Sequence, residues 1–386
     1  MKIITAYLPQ FHTIPENDKW WGKGFTEWTN VKKATPLYAG HNQPRIPYHK
    51  NYYNLLDDNR TWHWQAELAK KYGIYGFSIY HYWFNGKMLL EKPMENLLKD
   101  KSVDIHYCVS WANEKWTNGW VSSENRVLIE PDYSDRNDWI KHFYYLLPFF
   151  QDSRYIYLDG KPLVIIYVPY LMGKYLKPFI QCWRELAIKN GFKGLTLAFQ
   201  HARNYNDPLF DQKLFDYGME FQPDFTRMRI QKATQLKKIE TIALNKMFEL
   251  SSWLQKNWGI YIHKKRKNTD LDIFSYDDIW AEILNSDPIN ENAIPGAFVD
   301  WDNTSRKGNA GSVADGTTPE KFKQYLSQQI YRTKKIYKKE LLILFAWNEW
   351  AECGYLEPDE KNGFKMLEAV KEALIENGEF NNFGSV

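Results

Sequence analysis

Cysteine is scarce in this sequence: Cys108, Cys182 and Cys353 are the only three among 386 residues. An odd, widely spaced set excludes a disulfide framework and has no metal-binding spacing, and it suits a reducing compartment. Long apolar runs are missing as well. No window reaches the roughly 18 apolar residues expected of a membrane span. The opening "MKIITAYLPQFH" enters a strand pattern at once, with no small-residue cleavage site, so no signal peptide is expected. The cytoplasm is the expected location. Charge of one sign is lacking too, since 50 Lys and Arg oppose 47 Asp and Glu for a net +3. Whole-molecule charge therefore gives no basis for nucleic-acid binding. No glycine-rich phosphate turn follows the first strand pattern, which counts against a nucleotide-binding doubly wound sheet.

Aromatic side chains are abundant, with 17 Trp, 26 Tyr and 22 Phe making 17% of the chain. Such side chains can fill a core. A flat apolar face with a polar edge also matches a sugar ring, whose C–H face stacks while its hydroxyls hydrogen-bond. Short β-rich runs recur in a regular series: "IITAY", "IYGFSIY", "IHYCVSW", "PLVIIYV", "GLTLAF", "DYGMEF", "GAFVDW" and "LLILFAW". Most are apolar on both faces, as in parallel strands covered by helices. Amphipathic patterns lie between many of them, such as "TWHWQAELAKKYG" and "TPEKFKQYLSQQIYRTKK". Eight strands alternating with helices predict an α/β fold, a (β/α)8 TIM barrel built as one catalytic domain over 1–386. Two insertions interrupt the rhythm. One spans about 12–60 and holds "WWGKGFTEWTN". The other spans about 225–290, between strands six and seven, and is expected to be helical and basic. Its "HKKRK" at 263–267 reads as solvated surface, or else as a contact for an anionic lipid surface or a lipid-linked glycan.

In such a barrel the chemistry sits at the C-terminal strand ends. Those ends are Tyr7, Gln10 and His12 on strand one, and Tyr80, His81, Tyr82, Trp83 and Asn85 on strand two. Trp111, Asn113 and Glu114 end strand three, Tyr167 strand four, and Glu220 strand six. Strand seven supplies Asp300, Asp302, Asn303 and Arg306, and strand eight Trp347, Asn348 and Trp350; Trp28 comes from the first insertion. Any one of these alone is more often core or rim packing than a ligand. Their coincidence on nearly every strand describes a concave site of stacking faces and hydrogen-bonding groups suited to carbohydrate.

Glu349 and Glu352 stand three apart after strand eight. On a continuing strand they would point to opposite faces, so they share a pocket only if the chain turns just after Trp347. Like charge and desolvation would then raise at least one carboxyl pKa, giving an acid and a base from one residue type. Glycoside chemistry uses that division. The same two residues could instead cap a helix and hold an Arg or Lys ion pair.

The motifs "YLPQFHTIPENDKWWGKGFTEWTNV", "HNQPRIP", "YGFSIYHYWFNGK", "SWANEKWT", "DGKPL", "DWDNTSR" and "AWNEWAECGYLEPD", taken in order, resemble the WbsX family. Its members are described as glycosyltransferases of bacterial surface-polysaccharide clusters (O-antigen, capsule, lipopolysaccharide) and are similar to the catalytic domain of glycoside hydrolase family 99. The resemblance implies a (β/α)8 barrel and retaining, endo-α-mannosidase-like chemistry with no metal or other cofactor. It places a base acting on the sugar 2-hydroxyl at Glu349 and the general acid, then base, at Glu352. Trp and Tyr would stack on sugar rings, and Glu114, Asp300 and Asp302 would bind hydroxyls. The family name implies the alternative of a nucleotide-sugar-dependent glycosyltransferase, for which "DWD" at 300–302 superficially fits a D-x-D site. A non-catalytic glycan-binding protein would be expected to lack one glutamate, and both are present. Cys353 departs from the family, which usually has Gly there, and Tyr355 stands where His is frequent.

Overall fold

The structure, a computed structural model, describes residues 1–57, 59–117, 126–201, 210–233 and 271–380. Eight parallel strands form a ring: β1 (Lys2–Tyr7), β2 (Gly76–Phe84), β3 (His106–Trp111), β4 (Lys161–Ile166), β5 (Thr196–Gln200), β6 (Tyr217–Met219), β7 and β8 (Leu341–Phe345). β7 is split by Pro295 into Ala293–Ile294 and Gly296–Phe298. Its first half pairs with β6 and its second with β8, while β8 pairs with β1, and so the barrel closes. The split follows from proline, which has no N–H to give a ladder. Its carbonyl still accepts from Ile343 N at 3.1 Å. Gly296 is required at this seam, because a Cβ there would lie 1.8 Å from the Glu220 carbonyl oxygen.

Helices cover the ring as the hydrophobic periodicity predicts. Helix Arg60–Lys71 precedes β2, Arg136–Phe150 and Leu176–Lys189 flank β4, Pro319–Lys335 leads into β8, and Lys365–Glu376 follows it. Helix Pro319–Lys335 is typical: Thr318 caps it by accepting from Lys321 N, proline takes its first turn, and Phe322, Leu326, Gln329, Ile330 and Thr333 are buried. Strands β2, β4, β5 and β8 are buried on both faces almost throughout, the pattern of a parallel sheet under helices. Among the described residues no helix is long and apolar enough to cross a membrane.

Two boundaries differ from expectation. β2 runs to Phe84, so Tyr80–Trp83 lie within the strand and alternate between its faces. The region expected as an insertion from 225 to 290 is framework at its far end. There, helix Tyr276–Asn285 buries Tyr276, Ile279, Trp280 and Ile283, and the Trp280 ring stacks at 5.4 Å on Phe298 of β7. The Lys- and Arg-rich 263–267 lies outside the described residues. The first insertion carries helices Pro15–Trp21 and Glu27–Lys33.

Candidate functional site

After β8 the chain turns as the glutamate spacing requires. Asn348–Glu349 pairs antiparallel with Gly354–Tyr355, and Trp350–Glu352 forms a 3-10 turn between them. Cys353 closes the turn in the left-handed conformation, at φ 55° and ψ 13°. Glycine adopts that conformation with least cost, a physical reason for the glycine that the sequence resemblance leads one to expect here. Gly354 must itself be glycine, because a Cβ would sit 2.2 Å from the Phe345 ring.

This hairpin delivers both glutamates to one guanidinium. Arg306 Nη1 donates to Glu352 Oε1 at 2.7 Å, and Nη2 donates to Glu349 Oε2 at 3.3 Å. Nη2 also donates to Glu27 Oε1 at 2.6 Å. Arg306 is placed by the short helix Thr304–Lys307 after β7, whose first turn is held by Asp302 accepting from Thr304 N and Oγ1. Three carboxylates thus meet one fixed cation, with side-chain exposures of 1% for Glu27, 6% for Glu349 and 15% for Glu352. Burial pushes the Glu349 carboxyl well above the usual range; Arg306 opposes the shift, while Glu352 and Glu27 add to it. Tyr80 and Tyr82 point from β2 toward the cluster, and burial followed by the Glu349 charge raises both phenols. An aromatic wall continues outward: Trp116 meets Tyr82 edge-on at 5.0 Å and Trp20 at 5.9 Å.

On the other side of the hairpin a fourth carboxylate is saturated with donors. Glu357 accepts from Tyr53 OH (3.0 Å), Gln65 Nε2 (2.7 Å), Trp347 Nε1 (3.1 Å) and Trp350 Nε1 (2.6 Å). Burial raises its carboxyl to about 7 even against those four bonds. The two tryptophans bracketing Glu349 are therefore fixed by hydrogen bonds as well as packing, and the Trp350 ring stacks on Tyr355 at 3.9 Å. A cavity of about 630 Å³ lies on this side, lined by Tyr48, Tyr52, Trp64, Phe364 and neighbours.

The expected site residues divide by where their side chains go. Glu349, Glu352, Tyr80 and Tyr82 come together at the mouth. Glu114 is half-buried there and its charge reaches Tyr82. Tyr167 meets Tyr80 edge-on at 6.4 Å. Others turn to the helix layer. His81 Nε2 contacts His142 Nε2 at 2.9 Å, Trp83 donates to Asp138 and stacks on His142, and Trp111 packs on Phe179 and Trp183. Tyr7 donates to Gln65 and stacks on Trp62. Glu220 accepts from Tyr337 OH and Ile289 N, on segments leading into β8 and β7. Strand alternation explains β2, where odd positions from Phe77 to Trp83 face outward.

Three asparagines expected to bind substrate instead imitate a strand neighbour. Asn348 accepts from Leu8 N and donates to Leu8 O, Asn113 does the same to Val168, and Asn85 to Asp132. Asp300 accepts from Arg45, Thr317 and Trp301 N; Asp302 also accepts from His41 and Gln43; Asn303 accepts from Ser312 N. Trp28 donates to the Tyr53 carbonyl with its ring 5.4 Å from Trp350. The Gln10 carbonyl accepts from Glu27 N, and His12 is buried, its pKa lowered to about 4 by desolvation. Among the described residues no group of three His, Cys, Asp or Glu is placed to hold a metal ion.

Glu27, Glu357 and Trp20 escaped the strand-end reasoning because none lies at a strand end. The signal for Glu27 was the repeated Glu-Trp pair, Glu27-Trp28 and Glu349-Trp350, whose tryptophans touch.

Comparison with known proteins fits this architecture. The structure superimposes on the family 99 endo-alpha-mannosidase from Bacteroides thetaiotaomicron, covering 97% of this chain and 96% of that one, with a TM-score of 0.52 at 12% identity. A glycoside hydrolase-like protein gives a TM-score of 0.51 at 12% identity, covering 96% and 93%. At such identities the likeness is one of fold. In sequence, the chain is 30% identical over 377 residues to the uncharacterized protein WxcX of Xanthomonas campestris pv. campestris strain B100, covering 96% of this chain and 49% of that protein. WxcX of strain ATCC 33913 is 31% identical over 379 residues, again with 96% and 49% covered. The chain thus spans about half the length of these relatives. The family model described as Glycosyltransferase WbsX matches residues 3–370, and the chain belongs to that family.

Proposed function

We propose that the protein is a carbohydrate-active enzyme of bacterial surface-polysaccharide metabolism that cleaves or transfers a glycosidic bond with retention, in the manner of an endo-α-mannosidase. The carrying observation is the hairpin that sets Glu349 and Glu352 on two nitrogens of Arg306 beneath Tyr80 and Tyr82. Burial makes Glu349 a stronger base than a solvated carboxylate. It takes the proton of the sugar 2-hydroxyl as that oxygen bonds to the anomeric carbon. Glu352, nearer the rim, gives its proton to the departing glycosidic oxygen, leaving a 1,2-anhydro sugar. Water or an acceptor hydroxyl then attacks the anomeric carbon and passes its proton to Glu352, while Glu349 returns the other to the 2-oxygen. Tyr82, Trp116 and Trp20 supply ring contacts for the glycan.

The family name favours a second reading, transfer from a nucleotide-activated sugar. Against it, Asp300 and Asp302 are engaged by Arg45, His41 and Gln43, so "DWD" serves the fold. The test is an assay on the cognate polysaccharide or lipid-linked oligosaccharide, with and without nucleotide sugars, beside Glu349→Gln and Glu352→Gln. Turnover without nucleotide that falls at least about 100-fold in both variants is expected, as for loss of an acid–base group. Strict nucleotide-sugar dependence would establish the second reading. Activity surviving both substitutions would remove the glutamates from the chemistry.

A further inference from the structure

Glu27 is the most buried of the three carboxylates on Arg306, at 1% exposure, and it comes from the first loop of the barrel. Its Oε1 accepts twice, from Arg306 Nη2 at 2.6 Å and from Ala351 N at 3.1 Å. Ala351 is the centre of the turn between Glu349 and Glu352. One oxygen therefore grips both the cation and the loop that presents the glutamates. Its own backbone is tied down, since Glu27 N donates to the Gln10 carbonyl at 2.9 Å and Thr26 caps the helix. Glu27 also makes the shorter bond to Nη2, the nitrogen it shares with Glu349, whose contact is 3.3 Å.

We infer that Glu27 is a positioning residue, one that fixes the 350–352 turn and shares Arg306 Nη2 with Glu349, withholding part of that charge from it. The inference rests on the proposed role of Glu349. Charged and titratable groups around Glu349 are Arg306 and Glu352 from the β7 and β8 loops, Glu27 from the β1 loop, and Tyr80 and Tyr82 from β2; Glu114, after β3, reaches Tyr82. Removing the negative charge of Glu27 frees Arg306 for the pair and makes Glu349 a weaker base. A turn-capping role alone would alter rate and stability without moving that titration.

The test replaces Glu27 by Gln, which keeps an oxygen for Ala351 N but not the charge. The Glu349 carboxyl titration is followed by ¹³C chemical shift, assigned by its loss in Glu349→Gln, and the pH–rate profile is measured in parallel. Glu27→Gln is expected to shift the Glu349 titration down by about one pH unit, a roughly ten-fold change in ionisation constant, and to move the profile with it. Glu27→Asp keeps the charge but withdraws it by one methylene; it should give a smaller downward shift and stands in should Glu27→Gln fail to fold. A folded variant with an unmoved titration overturns the inference. The carboxyl titration needs no substrate, so inactivity on every glycan would refute the proposed function while leaving Glu27 tested.

Discussion

Replacing Arg306 with Met would leave Glu27, Glu349 and Glu352 facing one another around an apolar side chain. The cost follows from the site geometry. Removing one partner of a buried ion pair costs about 3–5 kcal/mol, because the remaining charge stays desolvated. Here three carboxylates lose their shared cation, although Arg306 at 17% and Glu352 at 15% exposure retain some water. The expected loss is about 4 kcal/mol at neutral pH. An unfolding entropy of about 2.1 cal/mol/K per residue gives roughly 0.8 kcal/mol/K for 386 residues, so Tm should fall by about 5 °C. The pH dependence is more diagnostic. Glu349 is already raised by burial, and Arg306 is the first cause that lowers it. Without Arg306 its folded-state pKa rises further above the unfolded value of about 4.3. The protonated form is then favoured by folding, so the deficit is small below about pH 4 and grows as pH rises through the folded pKa. Calorimetry of both proteins at pH 4.5, 6 and 8 checks this. A deficit equal at all three values, or no deficit at pH 8, would refute the reading of Arg306 as counter-charge.

Glu349→Gln should raise Tm at pH 8 by a degree or more while abolishing turnover, because it removes a desolvated carboxylate whose raised pKa weakens the fold as pH rises; an unchanged or lower Tm counts against the raised pKa. Tryptophan fluorescence should titrate near pH 7 as Glu357, bonded to the indoles of Trp347 and Trp350, gains its proton, and Glu357→Gln should flatten that transition. Gly354→Ala should cost about 1–3 kcal/mol by overpacking against Phe345, read as a lower urea midpoint. Cys353→Gly should stabilise by about 1 kcal/mol through relief of the left-handed backbone, measured by the same midpoint.

The barrel was legible because its signals are local and periodic: apolar strands, capped helices, and a regular interval between them. Glu349 and Glu352 were legible because their spacing demanded a turn that the structure supplies. Face assignment was the weaker step. The run Tyr80-His81-Tyr82-Trp83 reads as one aromatic cluster, yet its members alternate because β2 extends four residues past the expected end. Asn85, Asn113 and Asn348 look like ligand groups in sequence, since an amide beside a strand end satisfies either a sugar or a backbone. Only the position of the distant chain decides which. Glu27 and Arg306 meet across 279 residues, a contact that no local pattern encodes.

The amide of Asn348 has a consequence for how the protein comes to life. It binds both backbone groups of Leu8, 340 residues away, and Glu349 follows it directly. Glu27 hangs from Gln10, two residues beyond Leu8. The proposed catalytic constellation is thus assembled on the junction of β1 with β8, one of the seams that close the ring. A barrel lacking β8 lacks both glutamates of the proposed pair and the amide that ties them to β1. Activity, where it is found, reports that the ring has shut.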